Sequence, residues 1–397
     1  MERIGIYGGT FNPPHLGHMT AALQAADALR LDRLLLIPDR IAPHKVLPQD
    51  SPAPEQRLRM VQLAANGHPK LEVSDMELLR SGPSYTYQTV LKLKEQHPNA
   101  QLVLIMGTDM FLSFHTWKNP EIILQNASLA VLYRGEKDEI HAIDRKKREM
   151  EASGAVVELV KNDVVTISST DLRRMLVFRC ADPFLPKPVA AYIQMNDLYS
   201  TGKNCRHLSM EELEKTAVGL LKENRVKHVL GCRDTAVELA RRWGADEMDA
   251  ARAGLLHDIT KALDGPLQLT LCREYGIILD AFSTHNPKTL HALTGSLVAR
   301  RIFGENDAVV NAIRHHTTGK ANMSLLEKII YVADYMEPNR DFPGVDKLRA
   351  LAFSDIDAAL QLGLQMTVNM LKEQGREVSP ESMEALSWLK RKEETLC

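Results

Sequence analysis

The sequence predicts two folded parts of different class: an α/β doubly wound parallel-sheet domain over 1–200 and an all-α domain over 209–397, joined by a linker at 201–208. Two observations carry the division. Short apolar runs alternate with amphipathic helical stretches up to about Tyr199, and helical periodicity alone follows. A length of 397 residues is enough for two separate cores.

The first strand begins at Ile4 and runs into Gly8-Gly9. His15 and His18 follow, and a helical run then places Met19, Ala22, Ala26 and Leu29 on one face. Leu34-Leu-Leu-Ile-Pro38, Leu102-Val-Leu-Ile-Met106 and Leu129-Ala-Val-Leu-Tyr133 are continuous apolar runs, as expected of strands buried on both faces. Helices are expected near 55–66, 85–97 and 141–153, which makes the sheet parallel and puts ligands at the carboxyl ends of its strands. Ser200 to His207 is polar and without periodicity. Ser209 with Glu212 reads as a capping box, and helices follow over 211–224, 227–243, 247–263, 287–303, 306–316, 323–337 and 355–373.

Composition narrows the function. Forty-nine basic and 51 acidic residues give a net charge of −2, and aromatics are 5%, which argues against nucleic-acid binding or a membrane-surface role. Cys180, Cys205, Cys232, Cys272 and Cys397 are scattered, with no C-x-x-C pair, as in a reducing compartment. With no membrane-length apolar run and a strand starting at Ile4, a cytoplasmic protein without a signal peptide is expected. Oligomeric state is open, a homo-oligomer included.

A strand, a glycine turn and a helix start prepare a phosphate site, because the first N–H groups of a helix lack partners and point outward. Gly8, Gly9 and Gly17 allow close approach of a ligand to the main chain, and the histidines donate to phosphoryl oxygens or, if protonated, add charge. Glycine turns with surface histidines also occur in any doubly wound sheet. The whole string, with Phe11, Pro13, His15, Gly17 and His18 in register, resembles the G-x-F-x-P-x-H-x-G-H signature of the nucleotidyltransferase superfamily. Ile167-Ser-Ser-Thr-Asp-Leu-Arg173 reads by itself as a capped helix start, with Asp171 favouring the dipole. Beside the first motif it resembles the I-S-S-T-x-I-R segment of bacterial nicotinate-mononucleotide adenylyltransferases, with Leu172 for isoleucine.

That resemblance covers roughly 1–200 and implies ATP contacts from Gly8, Gly9, Thr10, Phe11, His15, Gly17, His18, Gly107, Asp109, Ile167, Ser168, Ser169, Thr170 and Arg173. It implies substrate contacts from Lys45, Ser84, Tyr85, Thr86, Trp117 and Arg134, with Trp117 stacked on a pyridine ring. An isolated tryptophan such as Trp117 is otherwise most often a core residue. The implied chemistry is in-line attack of a mononucleotide phosphate on the α-phosphorus of ATP, with Mg²⁺ bridging oxygens. His15, His18, Lys45 and Arg173 would stabilise charge. Adenylylation of another phosphorylated molecule, such as phosphopantetheine, is the rival reading.

In the second half His228, the pair His257-Asp258 and Asp334 recur among apolar helical neighbours. A buried His-Asp pair is costly without a partner, and a divalent transition metal supplies one. A single buried histidine is more often a satisfied core residue. The order His, His-Asp, Asp resembles the HD superfamily of metal-dependent phosphohydrolases. His291, His316 and the segments Leu255–Lys261 and Tyr331–Arg340 resemble its YqeK-type subgroup, which hydrolyses diadenosine tetraphosphate symmetrically. The resemblance implies six ligands, His228, His257, Asp258, His291, His316 and Asp334, for two divalent transition metals, with Asp258 bridging at the catalytic centre. Iron is the expected metal, although the ligand set does not separate it from manganese, zinc or cobalt. Lys261, Arg314 and Arg340 are candidate phosphate contacts or plain surface charges. Only one of His315 and His316 can face inward, and the resemblance favours His316. The partners implied are ATP, nicotinate mononucleotide and a dinucleoside polyphosphate. Another phosphate ester or anhydride, or nucleotide binding without turnover, remains open for the helical half.

Overall fold

A computed structural model describes residues 1–43, 46–135, 137–162 and 167–396, so Lys45 and Cys397 lie outside the described residues. The chain divides into two compact units, Met1–Lys203 and Asn204–Cys397.

The first unit is built on strands β1 (Arg3–Gly9), β2 (Arg33–Pro38), β3 (Leu71–Val73), β4 (Gln101–Gly107), β5 (Ala127–Tyr133) and β6 (Val157–Lys161). Their order is β3-β2-β1-β4-β5-β6 and every pairing is parallel. The helices are α1 (Leu16–Ala28), α2 (Pro54–Ala65), α3 (Thr86–Gln96), α4 (Thr108–Leu112), α5 (Pro120–Asn126), α6 (Lys137–Ala152), α7 (Ser169–Val177) and α8 (Lys187–Met195). The sheet is therefore the doubly wound one expected, and its strand order reverses between β1 and β4. Diverging connections leave a crevice at the carboxyl ends of those two strands. The burial pattern explains the apolar runs. Ile4, Ile6, Leu102, Leu104, Leu129 and Val131 pack with Val90, Phe111, Phe114 and Ile143, while Leu34, Leu36, Val103 and Ile105 are buried as well. The short strands β3 and β6 escaped the apolar-run criterion because β3 has three residues and β6 mixes Glu158 and Lys161 into its length.

The second unit consists of α9 (Met210–Leu220), α10 (Glu223–Trp243), α11 (Glu247–Leu256), α12 (Gly265–Glu274), α13 (Ala281–His285), α14 (Leu290–Val298), α15 (Asp307–His315), α16 (Leu325–Met336), α17 (Val345–Ser354), α18 (Ile356–Glu373) and α19 (Pro380–Leu396). Ser209 accepts from the Glu212 N–H at 3.3 Å and the Glu212 carboxylate returns to the Ser209 N–H at 3.1 Å, closing the capping box. Three helices are shorter than their periodicity: the expected span 211–224 stops at Leu220, 287–303 is α-helical over Leu290–Val298, and 247–263 stops at Leu256. Turns follow through His257 and Asp258, so that pair sits just past a helix end and not on a helix. Imidazole Nδ1 of His257 bonds the Gly254 carbonyl at 2.7 Å, a local contact at this helix end. Among the described residues no helix is long and apolar enough to cross a membrane.

Candidate functional sites

At the reversal point of the sheet lies a cavity of about 630 Å³. Its walls include Gly8, Gly9, Thr10 and Phe11 after β1, His15 and His18 at the start of α1, Gly107 after β4, and Ile167 to Thr170 with Arg173 at α7. Ser84, Tyr85, Thr86 and Trp117 line it too. A β-carbon at Gly107 would meet no atom within 4 Å, so a side chain there would stand in the open cavity.

The imidazole rings of His15 and His18 lie 3.7 Å apart, and His18 Nδ1 accepts from the His15 N–H at 3.3 Å. Burial lowers the His15 pKa to about 4. Of the two alternatives left open for the histidines, hydrogen bonding or added charge, the lowered pKa favours hydrogen bonding by the neutral ring at His15. Its Nδ1 is buried and has no hydrogen-bond partner among the described residues. Formal charge comes instead from Arg173, whose guanidinium donates to the Asn12 carbonyl at 2.8 Å and to Thr170 Oγ1 at 3.0 Å. Burial lowers its pKa from 12.5.

Ser168 caps α7, accepting from the Asp171 N–H at 3.0 Å and donating to its carboxylate at 2.7 Å. Capping and phosphate binding are compatible here, because the cap occupies the hydroxyl and leaves other N–H groups of the first turn available. Trp117 also has two roles: its ring packs 5.2 Å from that of Phe114 and it lines the cavity. Three proposed contacts are not brought in. Asp109 and Arg134 are exposed and Gly17 lies within the first turn of α1, and none of the three lines the cavity.

Sequence reasoning missed the residues that hold this edge. Arg57, 1% exposed on α2, donates to the Thr10 carbonyl at 2.6 Å, to Asp39 Oδ1 at 3.1 Å and to the Asp39 carbonyl at 2.8 Å. Asn12 accepts from the Tyr199 hydroxyl at 2.8 Å and donates to Ser51 at 2.9 Å, pinning the turn between β1 and α1. An arginine on an amphipathic helix looks like a solvated charge, so no local signal marked Arg57.

In the helical unit, His228 on α10, His257 and Asp258 after α11, His291 on α14, His316 after α15 and Asp334 on α16 converge. His228 Nε2 stands 3.1 Å from Asp334 Oδ1 and 3.2 Å from His257 Nε2. Asp258 presents its two oxygens to different neighbours. Oδ2 lies 3.6 Å from His257 and 3.7 Å from His228, whereas Oδ1 lies 3.4 Å from His291 and 3.6 Å from His316. His316 is buried in this cluster, while neighbouring His315 bonds Glu327 at 2.8 Å.

These distances fit a cation. Asp258 Oδ1 is buried without a hydrogen-bond partner although two imidazole nitrogens face it, a pairing that a shared cation would satisfy. Two groups have ligand geometry, His228 with His257 and Asp334, and His257 with Asp258 and His316. Burial lowers His257 to about 4 and, together with Lys261, lowers His291 to about 3, so both offer lone pairs at neutral pH. Burial alone would raise Asp258, but His257, His316, Lys261 and His291 outweigh it and hold the carboxyl well below its usual range.

Of the candidate phosphate contacts, Lys261 Nζ lies 2.8 Å from His291 Nε2, and Arg340 reaches Asp334 at 2.6 Å. Arg314 instead pairs with Glu381 at 3.4 Å, toward α19, and contributes no ion pair to the cluster among the described residues. Arg225, not anticipated from sequence, pairs with Asp258 from one turn before His228. Thr317 is likewise new: its hydroxyl is 3.2 Å from both His291 and His316.

Fold and sites define a two-part enzyme of nucleotide chemistry: a nucleotidyltransferase unit followed by an HD-type metal-dependent unit. Comparison with known proteins agrees for each part. The cytidylyltransferase-like family matches residues 6–175 and the HD domain family residues 225–339. A probable nicotinate-nucleotide adenylyltransferase of Geobacillus thermodenitrificans is 34% identical over 219 residues, 55% of this chain and 94% of that protein. A symmetrical bis(5'-nucleosyl)-tetraphosphatase of Bacillus subtilis is 40% identical over 173 residues, 43% of this chain and 91% of that protein. A solved structure from Clostridium acetobutylicum, described as a predicted HD superfamily hydrolase involved in NAD metabolism, shares 39% identity. It covers 47% of this chain and 98% of its own, with a TM-score of 0.46. The chain belongs to the nicotinate-nucleotide adenylyltransferase family through its first unit and to the HD-domain symmetrical tetraphosphatase family through its second. The HD relationship also implies a divalent metal in the second unit.

Proposed function

We propose that the chain is a bifunctional cytoplasmic enzyme whose units, joined near 201–208, act on separate substrates. The first transfers the adenylyl group of ATP to nicotinate mononucleotide, giving nicotinate adenine dinucleotide and pyrophosphate. The second hydrolyses diadenosine tetraphosphate to two ADP.

The observation supporting the first activity is the cavity flanked by the His15–His18 pair, the start of α7 with Arg173, and Trp117. A phosphate oxygen of the mononucleotide forms a bond to the α-phosphorus of ATP while the bond to the bridging oxygen breaks and pyrophosphate departs. The nucleophile is already an anion, so the residues position and stabilise rather than abstract a proton. His15 donates to phosphoryl oxygens as a neutral imidazole beside His18, and Arg173 and Lys45 neutralise the leaving group. Mg²⁺, when bound, spreads the charge over phosphate oxygens. The aromatic face of Trp117 stacks on the pyridine, and Ser84 to Thr86 donate toward its carboxylate. Turnover of ATP with nicotinate mononucleotide against the amide nucleotide tests this: preference for the acid supports the assignment, and preference for the amide removes it.

The observation supporting the second activity is Asp258 with one oxygen on each imidazole pair. Two divalent transition metals, iron by our reading, supply when bound a more acidic water and a clamp on the reacting phosphate. His228, His257, Asp334 and Asp258 Oδ2 would hold one ion, and Asp258 Oδ1, His291 and His316 the other. Arg225, Arg340 and Lys261 receive phosphate oxygens beside them. Water oxygen adds to one inner phosphorus, and the bridging oxygen leaves with the second ADP. Chromatography of the products decides it. ADP alone, lost in Asp258→Ala, supports symmetrical cleavage; ATP with AMP, or no turnover with iron, manganese or cobalt, rejects it.

A further inference from the structure

The four imidazoles of the helical unit are not supported alike. His257, His291 and His316 each turn Nδ1 to a backbone carbonyl three residues earlier, at 2.7, 2.8 and 2.7 Å. His228 Nδ1 stands instead 3.1 Å from Glu337 Oε1. Glu337 is 1% exposed. Its Oε2 accepts from the Asn339 N–H at 2.8 Å and from Asn339 Nδ2 at 2.7 Å, which holds the carboxylate against the ring.

We propose that Glu337 is a positioning residue that makes the two metal positions unequal: the one bounded by His228, His257 and Asp334 holds its ion tightly, and the one bounded by Asp258 Oδ1, His291 and His316 exchanges. The proposal rests on the dinuclear reading above. A carboxylate behind a ligating imidazole fixes its tautomer and raises its basicity, and such partners change metal affinity by about 10–100-fold. The other charges do not separate the positions in this way. On the first side Arg225 pairs with Asp258, and Arg340 pairs with Asp334 at 2.6 Å while standing 4.0 Å from Glu337 Oε1, so the two ligand carboxylates there are each matched by a cation. On the second, Lys261 stands 2.8 Å from His291 and 3.7 Å from Asp258 Oδ1. The first position also has one more donor, Asp334, and Glu337 adds to that difference a buried carboxylate behind His228.

The structure supplies a second way to disturb it. A β-carbon on Gly231 of α10 would collide with Glu337 Oε2 and come 3.0 Å from Asn339 Nδ2. Glu337 is buried and held by Asn339, so Gly231→Ala must displace the carboxylate from the ring, at a cost in stability that the helix preference of alanine offsets in part.

The test is titration of the metal-free full-length protein with cobalt(II), without nucleotide, followed by d–d absorption and chelator competition. Two steps differing by about tenfold or more are expected. Glu337→Gln weakens the tight step by about 10–100-fold and leaves the second unchanged. Glu337→Asp recovers part of the loss because the charge is retained, and Gly231→Ala reproduces the same selective loss of the tight step. His291→Asn weakens the second step instead. Two equal steps in the unaltered protein, or equal weakening of both by Glu337→Gln and Gly231→Ala, overturn the inference. One cobalt per chain overturns the dinuclear reading beneath it as well.

Discussion

Arg57→Met probes how the nucleotide-facing edge of the sheet is held. The guanidinium is buried and makes bonds to the carbonyls of Thr10, Asp39 and Arg40 and to Asp39 Oδ1, between 2.6 and 3.3 Å. Methionine keeps the length and apolar stem but none of the donors. Asp39, its side chain 11% exposed, is left with the Thr10 hydroxyl at 2.7 Å as its remaining hydrogen-bond donor among the described residues. Breaking a buried pair by removing one partner costs about 3–5 kcal/mol, because the other charge stays desolvated. Four separate bonds at about 1 kcal/mol each lead to the same range.

Denaturant unfolding measures the loss. Trp243 and Trp388 are replaced by Phe so that fluorescence of Trp117 reports the first unit. Asp39→Asn should recover part of the deficit in the double variant, with a coupling of about 2 kcal/mol. Thr10 and Asp39 line the cavity, so KM for ATP rises in the single variant. A loss below about 1 kcal/mol, or strict additivity of the two substitutions, refutes the reasoning.

Acid should weaken the first unit through His15. Its folded pKa of about 4 lies below the ordinary 6.5, so the stabilisation is complete above pH 6.5 and disappears as pH falls toward 4, by about 3 kcal/mol. Urea midpoints at pH 7, 5 and 4 reveal it, and a profile unchanged in His15→Gln contradicts it. Gly107→Leu should lower adenylyl transfer tenfold or more with an unaltered unfolding midpoint, because the added side chain meets only cavity space; normal kinetics would place the nucleotide elsewhere. Gly254→Ala should cost about 1–3 kcal/mol in the second unit, since its β-carbon would lie 2.6 Å from the Arg233 Cα and push α11 from α10. A thermal transition within a degree of the unaltered protein is the opposing result.

Legibility followed the range of the interaction. The turn after β1, the Ser168 cap and the Ser209 capping box depend on residues within a few positions, and each was readable. The helix ending at Leu256 was not: Ile259, Ala262 and Leu263 keep an apolar rhythm because they are buried by packing, not by helical continuation. Arg225, Arg57 and Glu337 went unnoticed for a related reason. Arg225 and Arg57 sit where a helix ordinarily carries a solvated charge and Glu337 directly follows α16, and their importance comes from Asp258, Asp39 and His228, which lie 33, 18 and 109 residues away.

Residue order alone was enough for the class of each half and the parallel sheet, because apolar periodicity and short motifs are set by neighbours in the chain. It did not reveal which oxygen of Asp258 meets which imidazoles, that burial lowers the His15 pKa, or that of the four clustered imidazoles His228 turns Nδ1 to a carboxylate where the others turn it to a backbone carbonyl. Those are properties of burial and of distances between segments far apart in the chain, and they exist only once the helices have packed.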